Sequence, residues 1–192
     1  QWDLELIQLA DELGYVEAWV GEHFTVPWEP ICAPDLLLAQ ALLRTKNIKL
    51  APGAHLLPYH HPVELAHRVA YLDHLAQGRF MLGVGASGIP GDWALFDVDG
   101  QNGEHREMTR EALEIMLKVW TEDQPWEYRG KYWNANGIAP MFEGLMKRHI
   151  KPFQSPHPPI GVTGFSAGSE TLKLAGERGY LPMSLDLNAE YV

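Results

Sequence analysis

The sequence predicts an α/β fold whose strands run parallel, each return connection being made by a helix. Two observations carry this expectation. Short apolar runs alternate with longer amphipathic stretches through most of the chain, and strand–helix–strand repeats of this kind need the crossovers that parallel pairing provides. The histidines, glycine clusters and hydroxyls that carry chemistry fall just after the apolar runs. That is where ligands sit in both architectures the rhythm allows, a closed (β/α) barrel and an open doubly wound sheet.

Taken in order, residues 1–13 read as an amphipathic helix through Leu4, Ile7, Leu9, Ala10 and Leu13. Gly14 ends it, and residues 16–20 form a first strand leading into Gly21, Glu22, His23 and Phe24. Pro34 and Asp35 open a second helix to Leu43, and a second strand over 48–51 stops at Pro52, Gly53, Ala54 and His55. Pro62 begins a helix over 63–76 whose packing stripe is Leu65, Val69, Leu72 and Leu75, with Gly78 as its cap. A third strand over 79–84 runs into a glycine-rich loop and then a long helix over 103–121. Residues 122–157 are rich in Trp, Tyr, Gly and Pro without a sustained period and read as an insertion over one mouth of the domain. With Trp126, Tyr128, Tyr132, Trp133, Met141 and Phe142, this insertion is either a lid or an aromatic satellite core. A fourth strand over 159–163, a helix over 169–178 capped by Gly179, and a fifth strand over 180–185 complete the pattern. The chain opens inside a helix and stops just after a strand, so residues 1–192 are expected to be a single, partial domain.

Composition narrows the functional classes. A chain of 192 residues with 46% hydrophobic and 21% charged residues is long enough for a sizeable core. Fifteen basic against twenty-five acidic side chains give a formal charge of -10, which repels nucleic acid and anionic membranes while leaving room for a small anion in a local nest. Cys32 is the single cysteine, which points to a reducing, cytoplasmic setting, and its place before a helix suggests a small half-buried residue. No apolar run approaches the ~18 residues of a membrane span.

The run Gly83-Val84-Gly85-Ala86-Ser87-Gly88 matches a dinucleotide pattern after a strand, but Ile89-Pro90-Gly91-Asp92 interrupts the place of the phosphate-binding helix. A loop that needs positive φ or close approach to a ring is the better reading. The segment from Thr163 to Ser169 precedes a helix, so free amides and hydroxyls there suit a phosphate; the alternative is that Ser169 only caps the helix. His67 and His74 stand about 10 Å apart on one helix and cannot share an ion, and no metal motif is present, so no catalytic metal is expected. His23 and His55, just past strands, are the candidates for the site.

Several of these pieces together resemble a known family. They are residues 19–24, the run 53–58 with His61 and Pro62, residues 72–80 leading into 82–85, and residues 162–164 with 175–179. In the same order and across almost the whole chain, they resemble the luciferase-like flavin monooxygenases, nearest the limonene- and diketocamphane-type branch. The resemblance implies a (β/α)8 TIM barrel whose first strand precedes Gln1 and whose last strands follow Val192. It implies reduced FMN delivered by a separate flavin reductase, and O2 that forms a peroxyflavin and oxygenates a small apolar ketone, alkene or aldehyde. It also implies a homodimer. His23 becomes the catalytic residue, and Gly53, Ala54, His55, Gly85, Ala86, Gly164, Ser166, Gly168 and Ser169 become cofactor-binding, with a cis peptide at Gly53–Ala54. The light-emitting members carry an arginine where Gly85-Ala86-Ser87 stands here, so either amides and hydroxyls hold the phosphate or another basic residue reaches in. Two alternatives are a deazaflavin-dependent hydride-transfer oxidoreductase of the same superfamily and a non-catalytic flavin-binding protein.

Overall fold

The computed structural model describes residues 2–148, 150–164 and 169–184. Helix α1 (Trp2–Glu12) buries Leu4 and Ile7, and strand β1 (Glu17–Val20) follows it. In α2 (Pro34–Leu42) the proline occupies the first turn, where the amide it lacks would have no intrahelical partner anyway. Strand β2 (Lys49–Pro52) runs parallel to β1, with Trp19 opposite Ala51 and Val20 opposite Pro52.

The stretch after β2 is more ordered than the loop expected. Strand β3 (His55–Leu56) and a short 3-10 turn (Leu57–Tyr59) precede α3 (Pro62–Ala76). The Gly53–Ala54 peptide between β2 and β3 is cis. The two strands are pieces of one stave: β2 faces β1, and β3 faces β4 (Leu82–Gly85). Strand β4 also begins later than the expected Arg79. Phe80 makes one parallel bridge to Leu50, while the Arg79 guanidinium donates to the carbonyls of Leu42, Thr45 and Ile48, a cation at the carboxyl end of α2. In α3 the buried stripe is Leu65, Val69, Leu72 and Ala76; Leu75, expected in it, is exposed because Ala76 continues the four-residue step.

Ile89-Pro90-Gly91-Asp92, which reads as an interruption, starts a short helix, α4 (Pro90–Leu95), on the proline. Helix α5 (Glu104–Thr121) packs on α3, and the buried Trp120 donates its indole N–H to the Ala66 carbonyl at 2.9 Å. The segment without visible period contains an antiparallel hairpin of β5 (Trp126–Arg129) and β6 (Asn134–Gly137). Four residues per strand give too little alternation to recognise. Trp126 and Tyr128 pack against the core, and Glu111 of α5 accepts the amides of Lys131, Tyr132 and Trp133. Strand β7 (Ile160–Gly164), helix α6 (Glu170–Arg178) and strand β8 (Leu181–Ser184) follow.

Strand β7 pairs with β4 and with β8, all in parallel. The staves therefore follow one another in chain order, β1, β2/β3, β4, β7 and β8, which is the order of a (β/α) barrel wall. Among the described residues the order never reverses, as it would in a doubly wound sheet. Cys32, expected to be half-buried, is exposed. Among the described residues no helix is long and apolar enough to cross a membrane.

Candidate functional site

Because the staves are parallel and in order, the loops after β1, β2, β4 and β7 meet at one rim. Two hollows open there and share Ser87, Gly88 and Thr163 as a common wall. The first, of about 270 Å³, is bounded by Trp19, Leu56 and Met183, with Glu22, His23 and Glu29 at its polar edge. The second, of about 420 Å³, is bounded by Trp93, His105, Arg106, Ser169 and Thr171.

The expected residues divide between them. His23, Gly53 and Ala54 line the first hollow; Ala86, Gly164 and Ser169 line the second. Gly85 sits between, buried, where an added Cβ would fall 2.7 Å from Thr163 Oγ1 and 3.4 Å from Ala54 Cβ. Its glycine is demanded by close packing, whereas Ser87 in the same loop takes the positive φ of 69°. Ser166 and Gly168 lie outside the described residues. His55 lines neither hollow: its ring is wholly buried and turned onto Glu22, so its position past a strand places it beneath the site rather than in it.

Glu22 anchors that underlying layer. Its carboxylate is buried and accepts the Leu56 amide at 2.7 Å, His60 Nε2 at 2.9 Å and His55 Nδ1 at 3.3 Å. Burial by itself would raise the Glu22 carboxyl, but the hydrogen bonds from His55 and His60 outweigh it and hold the group down at about 2. These three side chains bring ligand-type atoms within 4.8 Å of one another, a grouping no local spacing in the sequence announces.

The second hollow carries the features of an anion site. Arg106 lines it from the first turn of α5, and Ser169 and Thr171 line it from the start of α6. Ser169 occupies the N-cap position without a side-chain cap bond. Its Oγ lies 2.7 Å from Thr171 Oγ1, which in turn donates to the Thr163 carbonyl at 2.7 Å. Thr171 has one hydroxyl proton and gives it to that carbonyl, so Ser169 is the donor of the pair. The first amides of α6 have no partner within the helix, as at any helix start. Trp93 Nε1 and His105 Nδ1 are buried here without a hydrogen-bond partner among the described residues, as they would be in a cradle shaped for a polar ligand. Burial, with the charge of Arg106 adding to it, holds the His105 imidazole below its usual range.

Several side chains at and beneath the rim carry no signal of their own in the sequence, Trp93, His105, Thr171 and Met183 among them. Glu22 stands there only within a motif, and Asp92 only within an interruption. Glu29 left no local signal. Arg106 did leave one: a cation in the first turn of a helix opposes the macrodipole, and such a mismatch marks a residue placed for something other than helix stability.

The sequence model of the luciferase-like monooxygenases matches residues 3–190. The 2,5-diketocamphane 1,2-monooxygenase 2 of Pseudomonas putida is 39% identical over 190 residues, covering 95% of this chain and 51% of that protein. Limonene 1,2-monooxygenase of Rhodococcus erythropolis is 38% identical over 117 residues, covering 61% of this chain and 30% of its own. Among solved structures, the oxygenating constituent of 3,6-diketocamphane monooxygenase from Pseudomonas putida, a type II Baeyer–Villiger monooxygenase in complex with FMN, superposes with a TM-score of 0.87 at 37% identity. That match covers 95% of this chain and 51% of the other. The chain thus spans about half the length of the relatives it matches. Motifs, stave order and a match over nearly every residue agree, and the chain belongs to the luciferase-like monooxygenase family.

Proposed function

We propose that the two hollows together hold reduced FMN and that the protein is the oxygenase component of a two-component monooxygenase acting on a small apolar ketone, alkene or aldehyde. The observation that carries this is the joining, on one rim, of an apolar hollow edged by His23 to a second hollow with the donors for a phosphate. The FMN bound by the 3,6-diketocamphane monooxygenase and the diketone substrates named for its relatives support it.

Arg106, Ser169, Thr171 and the first amides of α6 would hold the anionic tail, with Trp93 Nε1 and His105 Nδ1 available to its oxygens. Trp19, the Gly53–Ala54 peptide, Leu56 and Met183 would wall the ring and the substrate, keeping water from the reacting atoms. Reduced flavin supplies the two electrons with which dioxygen passes one atom to the substrate and leaves the other as water. His23, the imidazole on this hollow, would hold and return the proton that this chemistry moves. A separate flavin reductase as the source of reduced FMN, and a homodimer, belong to the same reading.

The test uses the full-length protein. Under anaerobic conditions reduced FMN is expected to bind more tightly than oxidised FMN, and FMN more tightly than riboflavin, which lacks the phosphate. With a reductase, NADH and a bicyclic ketone, oxygen uptake is expected to match the oxygenated product formed. Absence of flavin binding in either redox state would overturn the reading. Hydride transfer to a deazaflavin without oxygen uptake would replace it.

A further inference from the structure

His23 is held between two carboxylates that come from different parts of the chain. On its inner side Nδ1 lies 3.3 Å from Asp92 Oδ2, and Asp92 is wholly buried. The other Asp92 oxygen accepts the Phe24 amide at 3.2 Å and the Thr25 hydroxyl at 2.6 Å. The aspartate is thus fixed to the segment that carries His23 itself. Helix α4, which bears Asp92, is pinned in turn by aromatic packing just past its end. Phe96 stacks on Tyr59 with ring centroids 4.2 Å apart and meets the edge of Phe24 at 4.8 Å. On the outer side, His23 Nε2 lies 3.4 Å from Oε2 of the half-exposed Glu29.

The donor and acceptor inventory then decides which nitrogen does what. A carboxylate only accepts, so the contact with Asp92 requires the proton on Nδ1. A neutral imidazole protonated there carries its lone pair on Nε2. The Glu29 carboxylate is also an acceptor, so Nε2 and Glu29 attract one another only when a proton lies between them. Glu22, the remaining carboxylate of this hollow, is engaged by His55, His60 and the Leu56 amide and does not compete for the ring.

We propose that Asp92 is the positioning residue of His23: it fixes the ring as the Nδ1–H tautomer, so that Nε2 is the nitrogen presented to the hollow, with Glu29 as the outer carboxylate that meets it when protonated. The consequence for turnover rests on the function proposed above, while the tautomer itself does not.

The experiment is long-range proton–nitrogen correlation spectroscopy of the imidazole rings in the ¹⁵N-labelled full-length protein without added flavin, at a pH where His23 is neutral. The expected result is a protonated Nδ1 and an unprotonated Nε2 for His23. Asp92→Asn, whose amide can donate as well as accept, is expected to move the ring toward the Nε2–H form. Glu29→Gln, which touches the other nitrogen, is expected to leave Nδ1–H in place. A wild-type ring in the Nε2–H form overturns the proposal, and so does a tautomer that follows Glu29→Gln instead of Asp92→Asn. Should Asp92→Asn fail to fold, the wild-type and Glu29→Gln spectra still decide. In flavin-supported turnover, Asp92→Asn is expected to lower kcat about 100-fold with KM little changed. The expected tautomer in a protein that never oxygenates would sink the proposed function and leave the role of Asp92 standing.

Discussion

A glutamate with 1% of its surface exposed is costly to bury as an anion, and Glu22 is tolerable only because three donors converge on it. Its carboxyl is held at about 2 against an ordinary value of 4.5. For a depressed carboxyl the stabilisation is complete above the ordinary value and is lost as pH falls toward the folded one. The stability difference between wild type and Glu22→Gln should therefore narrow by roughly 3 kcal/mol between about pH 6 and about pH 2, read from urea midpoints along that range. If Arg106 holds the phosphate as proposed, Arg106→Met should weaken FMN binding by about 10- to 100-fold while leaving riboflavin binding unchanged, because the charge-assisted bonds it would make go to the phosphate alone. Equal losses for both ligands in a fluorescence titration would place the arginine elsewhere.

Among the elements, the staves β2 and β4 approach so closely that a Cβ on Gly83 would run into the Pro52 carbonyl, which is backbone and cannot swing aside. Gly83→Ala should cost about 2–3 kcal/mol in thermal or urea unfolding. On the next stave, Gly161→Ala should cost less, because its Cβ would meet the side chains of Trp19 and Met183 at 3.0 and 3.1 Å, and side chains can give. Similar losses at the two positions would mean that stave spacing is not what demands glycine at Gly83. The long helices were the readable elements: α3 begins on Pro62 and α6 ends on Gly179, each on a local backbone preference, although α3 ends on Gln77, itself left-handed, one residue before the expected Gly78. Strand β3, helix α4 and the hairpin of β5 and β6 were not, since none is long enough for its period to show.

For the whole molecule, the hairpin clasps the outside of α3 and α5 and contributes no residue to either hollow at the rim. Trp126, Tyr128 and Trp133 pack on the core, as in a satellite core, while Met141 and Phe142 beyond the hairpin are exposed. Amide hydrogen exchange with and without FMN should accordingly show protection gained over residues 19–24, 53–56, 85–88, 104–107 and 169–171 and none over 126–137. Protection concentrated in the hairpin instead would restore the lid. On the proposed reading, a chain of formal charge -10 would still receive an anion because Arg106 and the start of α6 line one hollow, a local field that the total charge does not describe.

By itself the sequence determined the parallel α/β order and the strand-end rim that gathers most of the candidate residues, because both follow from periodicity and from turn residues acting over a few neighbours. It also determined the family, through motifs each of which is contiguous. Only the tertiary structure decided that Asp92 meets His23, that His60 and His55 both turn onto Glu22, and that Arg106 faces Ser169 across a hollow. Those meetings join residues dozens of positions apart, and stave pairing with helix packing sets them, which no local pattern of polar and apolar residues encodes.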